Sequence, residues 1–161
     1  MGGPKVVCTK GDWQVDDGIL LFSTVEKRRL CSTANDVLLA KQDDEYVKDS
    51  FEHEQNLLLT ENGKKILLTG CAHRGIVNIL ERAMELAGGP LDVVIGGFHL
   101  SNPSTGVCEA ETTIAGVAEY LNSFPTKYYT FHCTGLEAYK KLKVLLGDKI
   151  SYLETGNKLE I

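Results

Sequence analysis

A layered α/β domain, β-rich at its start and running β-α-β-α-β afterwards, is predicted by three observations. At 161 residues, 43% of them hydrophobic, the chain is long enough for one compact domain with a core of its own. Its first part carries short apolar runs broken by turn residues, whereas its second part carries apolar residues at helical spacing. Glycines and prolines mark the joints.

From Lys5 to about Leu59 the reading is strands: "GILLFSTV" (Gly18 to Val25), "NDVLLAKQ" (Asn35 to Gln42) and the start of "QNLLLTENGKKILLTG" (Gln55 to Gly70). Glu-Asn-Gly-Lys in the last stretch separates two apolar runs, the mark of a hairpin turn. The leucines at 57 to 59 and Ile66 to Leu68 suit strands buried on both faces. Helix "RGIVNILERAMELAGG" follows, with Ile76, Val77, Ile79, Leu80, Ala83, Met84 and Leu86 on one side and Gly88-Gly89-Pro90 as its stop. Strand "LDVVIGG", a loop containing "LSNPSTG", and helix "EAETTIAGVAEYLNSF", ended by Pro125, come next. Strand "KYYTFHC", helix "GLEAYKKLKVLLGD" and a short strand "KISYLET" close the chain.

The net charge of -5, with basic residues scattered, carries no electrostatic footprint for nucleic acid or an anionic membrane. "EKRR", Glu26 to Arg29, reads as a solvated turn. No apolar run approaches a bilayer span and the start lacks a signal-peptide layout, so a cytoplasmic address is expected. The five cysteines, Cys8, Cys31, Cys71, Cys108 and Cys133, are odd in number and unpaired in spacing, which predicts free thiols rather than a disulfide framework.

Three of the four histidines sit just past a strand: His73 in "ILLTGCAH", His99 in "DVVIGGFH" and His132 in "YYTFHC". Parallel strands bring their carboxyl ends to one edge, so the three imidazoles are expected to share it. Any one alone passes for an ordinary loop residue. Together they suggest a site for zinc, iron or manganese, for which imidazole is a common ligand. The helix start at Thr134-Gly135 aims backbone amides at the same edge, where an anion would dock, although Thr134 reads equally well as an N-cap.

These residues carry a resemblance. "KKILLTGCAHRGIVNIL", "DVVIGGFHL" and "FHCTGLEAY", with "FEHEQNLLL" upstream, resemble the C-terminal half of a branch of the metallo-β-lactamase superfamily, the dihydropterin ribofuranosyl-aminobenzene phosphate synthase-like metallohydrolases. The resemblance implies an αββα sandwich with a metal site at one edge, zinc first among the divalent metals, that hydrolyses a phosphorylated or other anionic ester. It matches His132 to the late metal histidine and makes His73 the next ligand. His99 becomes a ligand or a substrate-facing acid, and Cys71 stands where many members place a bridging aspartate. His53 and Glu54 are expected to support the ligands or meet the substrate, as are Thr134 and Gly135.

The superfamily's HxHxDH motif, which belongs to the N-terminal half, does not occur in this sequence. The expectation is therefore a single half-domain over 1–161 that supplies part of an active site. Its counterpart would be a separately encoded N-terminal half or a second copy in a homodimer; a non-catalytic metal-binding or dimerising module is the alternative. Either partner predicts an apolar sheet face awaiting cover. A nucleotide-binding reading fails because neither GxGxxG nor GxxxxGKS/T appears. Cysteine catalysis by Cys71 or Cys133 beside a histidine is a further option.

Overall fold

The computed structural model describes residues 6–102 and 104–161. The expected start of the β-rich part at Lys5, and Pro103 of the long loop, lie outside the described residues.

Seven strands form one sheet, ordered β1-β2-β5-β6-β7-β8-β9. Strands β1 (Trp13–Asp16), β2 (Ile19–Phe22), β5 (Asn56–Glu61) and β6 (Lys64–Leu68) pair antiparallel. From β6 onward, β7 (Val93–Gly96), β8 (Lys127–Thr130) and β9 (Ile150–Tyr152) add in parallel. The β5-β6 turn has Asn62 and Gly63 both at positive φ, 49° and 78°, as a twist-matched two-residue hairpin requires.

The crossovers are α1 (Ile76–Ala87), α2 (Glu111–Asn122) and α3 (Leu136–Leu146). Because the parallel strands follow one another in a single direction, right-handed crossovers put all three helices on the same face. Ile76, Ile79, Leu80, Val117, Leu121, Ala138 and Leu142 pack there against Leu58, Leu67, Val94 and Tyr128. Helix α1 ends where Gly88 turns left-handed at φ 67° and returns its N–H to the Met84 and Glu85 carbonyls.

The alternate residues face the other way. Leu21, Leu57, Leu68, Ile95 and Tyr129 stand in register across five strands, and all five are half-buried. The leucine-rich strands are thus fully covered on one face only, where the sequence suggested burial on both. This row leaves the second face of the sheet apolar and partly open.

Two local expectations change. Of "NDVLLAKQ", only β3 (Leu39–Gln42) is a strand, and it pairs with β4 (Glu45–Lys48) in a separate hairpin. Residues Thr33–Val37 form a 3-10 turn instead. Its start is fixed by the Glu109 carboxylate, which accepts from the Ser32 hydroxyl and the Thr33 amide, each at 2.7 Å, and from the Thr33 hydroxyl at 2.8 Å. The "EKRR" segment is also more than a solvated turn. Lys27 and Arg29 both pair with Glu81 of α1, at 2.7 Å each, and Arg29 lies 5.4 Å from the ring centre of Tyr120 on α2.

Candidate active site

The parallel pairing of β6, β7 and β8 delivers His73, His99 and His132 to one edge, as their positions past the strand ends predict. The rings of His73 and His99 are in contact, with centroids 4.1 Å apart and planes tilted by 56°. His132 is exposed, and its charge is felt at His99.

His73 is held on three sides. Phe51 stacks on it at 4.2 Å with a 4° interplanar angle. Asn35 donates its amide nitrogen to the His73 carbonyl at 2.7 Å, which turns its oxygen toward His73 Nδ1, 2.9 Å away. Nδ1 therefore donates its proton to Asn35 and Nε2 keeps its lone pair, the arrangement of a ligand histidine steadied by a second residue. Glu54, nearly buried, fixes the backbone below: its carboxylate accepts from the His73 and Arg74 amides at 2.7 and 2.9 Å. Burial outweighs those bonds and pushes its carboxyl up to about 7.

His99 is 3% exposed, and neither ring nitrogen finds a partner among the described residues. Burial, with His73 and then His132 disfavouring the charge, pulls the imidazole down to about 4, so it is neutral at pH 7. Two unpaired polar atoms on one buried ring are rare in a finished fold and mark a place where a ligand is wanted.

Other expected residues stand further back. Cys71 is half-buried, and its carbonyl accepts from the Cys133 thiol at 3.4 Å. Burial, then Cys71, pushes the Cys133 thiol up to about 12, which leaves it without the thiolate a nucleophile needs. His53 is exposed, 3.8 Å from Asp49. Thr134 is no N-cap: the residue before α3 is Gly135, at φ 73°, while Thr134 is fully buried, accepts the Phe98 amide at 2.8 Å and bonds to the Thr130 hydroxyl. Among the described residues no side chain caps the α3 amides. All five cysteines are free.

Sequence reasoning missed Asn35, read as strand, and Phe51. Four non-glycine residues around the rings, Phe51, Ala72, His99 and His132, have left-handed backbones, with φ from 46° to 58°. Such strain is stored where surroundings over-determine it, often at functional sites.

A neutral, buried imidazole with both nitrogens unpartnered fits a transition metal, but the fit is partial. Among the described residues no three of His, Cys, Asp and Glu converge on one cation position.

An α/β sheet covered by helices on one face, with imidazoles at the ends of its parallel strands, is the arrangement of one sheet-and-helix layer of a metallo-β-lactamase-like fold. Comparison with known proteins agrees. The crystal structure of Tm1679, a metal-dependent hydrolase of the beta-lactamase superfamily, superposes with a TM-score of 0.80 and 28% identity, over 98% of this chain and 58% of that one. An uncharacterized protein of Methanocaldococcus jannaschii is 33% identical over 104 residues, 65% of this chain and 36% of its own. That organism's 7,8-dihydropterin-6-methyl-4-(beta-D-ribofuranosyl)-aminobenzene-5'-phosphate synthase is 30% identical over 93 residues, 57% of this chain and 30% of its own. No protein-family model matches. The chain shares the fold of a metal-dependent hydrolase of the beta-lactamase superfamily, and its likeness to the third relative supports the dihydropterin synthase-like branch. It spans about a third of the curated relatives it matches.

Proposed function

We propose that this chain supplies the C-terminal part of a metal-dependent hydrolase site that acts on a phosphorylated or other anionic ester. The observation that carries the reading is the buried His99 ring, with both nitrogens unpaired, in contact with His73 at the shared strand edge. His73 through Nε2, His99 and His132 would hold a divalent metal, zinc first, with Cys71 the further candidate. When bound, such a metal activates water and polarises the scissile bond. The chain's own residues do the positioning: Asn35 fixes the His73 tautomer, Phe51 and Glu54 fix its ring and backbone, and the uncapped amides after Gly135 face the anionic group.

The remaining ligands would come from a partner seated on the apolar row of the sheet, either a separately encoded N-terminal half or a second copy. Among the described residues no helix is long and apolar enough to cross a membrane. The five free thiols suit a reducing compartment, and the cytoplasm is the proposed one.

Elemental analysis of the purified chain, alone and with any co-purifying partner, tests the reading. The expected result is metal bound to the native chain and lost in both His73→Ala and His132→Ala. Unchanged metal content in these variants overturns it.

A further inference from the structure

Beside His73, an open cleft of about 500 Å³ is lined by Arg28, Arg74, Asn35, Phe51 and Cys31 among others. Its size is that of a small-molecule pocket. Arg74 is 7% exposed, and its Nε is buried without a hydrogen-bond acceptor among the described residues. Among the described residues no carboxylate pairs with Arg74 or Arg28; Arg28 spends Nη1 on the Val25, Glu26 and Lys27 carbonyls. The other charges of the cleft are engaged. Lys48 pairs with Asp36, and Asp49 accepts the Phe51 amide at 2.7 Å.

A guanidinium does not shed its proton, so burying one without a counter-charge is costly unless an anion completes the site. A carboxylate or phosphate matches its planar fork. We propose that Arg74 and Arg28 form an oxyanion subsite that holds the phosphate or carboxylate of the substrate, away from the bond that is cleaved. His73 lines the same cleft and touches His99, so an ester anchored by the arginines extends toward the imidazole edge. The substrate class becomes an ester with a separate small anionic group. This deepens the hydrolase reading and rests on it only for what happens to the ester.

The test is calorimetric titration of the metal-free full chain with inorganic phosphate and, separately, with malonate. Saturable millimolar binding is expected for at least one anion. Phosphate preference assigns a phosphoester and malonate preference a carboxylate, and either supports the subsite. Arg74→Gln and Arg28→Gln should each weaken binding roughly tenfold, as loss of a charged hydrogen bond implies, with Lys27→Gln unchanged. Should Arg74→Gln fail to fold, Arg28→Gln, at an exposed side chain, carries the test. Absence of saturable binding, or binding undiminished in the folded variants, overturns the subsite. The hydrolase reading fails separately: anion binding with no metal at the imidazoles sinks that reading alone, and metal uptake without anion binding sinks the subsite alone.

Discussion

Glu54 and His99 are both buried against His73 and respond to pH in opposite senses. The Glu54 carboxyl titrates at about 7 against an ordinary 4.5, so between those values the folded chain keeps a proton that the unfolded chain has released. Its contribution to stability therefore falls as pH rises through that window. His99 titrates at about 4 against an ordinary 6.5, so there the unfolded chain holds the extra proton and stability rises with pH. In the metal-free chain the two slopes oppose each other. Glu54→Gln removes the first, and its stability to urea should climb from pH 4.5 to 6.5 by on the order of 1 to 3 kcal/mol. A flat profile in that variant would mean that His99 is not buried as described. None of this was visible in the sequence, which offered both residues as candidates without their burial.

At the scale of elements, the ring contact depends on how closely β7 follows the exit of β6. Gly96 makes that possible: a Cβ there would stand 2.3 Å from the Thr69 methyl and 2.7 Å from the Thr69 carbonyl oxygen, the latter a backbone atom that cannot swing away. Gly96→Ala should cost about 1 to 3 kcal/mol in urea unfolding and lower metal uptake at His73. Gly70→Ala, where nothing lies within 4 Å and φ is not positive, should change stability by no more than about 0.5 kcal/mol. Equal effects at the two positions would refute the close-approach account. The strands and helices were legible because periods of two and 3.6 are local properties of the chain. The 3-10 turn at Thr33–Val37 was not, since Glu109, which fixes it, lies 76 residues from Thr33. Asn35 escaped for the same reason, reaching His73 across 38 residues, while the strand-end rule needed no such distance to bring His73 and His99 together.

For the whole molecule, the decisive fact is that the helices cover one face of the sheet. The half-buried row from Leu21 to Tyr129 should hold the chain to itself when no other partner is supplied. Leu57→Lys combined with Leu68→Lys should shift the mass measured by light scattering toward the monomer and leave the far-ultraviolet circular dichroism unchanged, because both side chains lie outside the helix-covered core. An unaltered mass would show that association, if it occurs, uses another surface. The absence of the HxHxDH motif was legible in the sequence, whereas the apolar row emerges only once strand register is known. An interface made of leucine, isoleucine and tyrosine draws its strength from the release of ordered water, which weakens on cooling. Any pairing through this row would thereby be tied to temperature: cold should loosen the assembly and gentle warming should restore it.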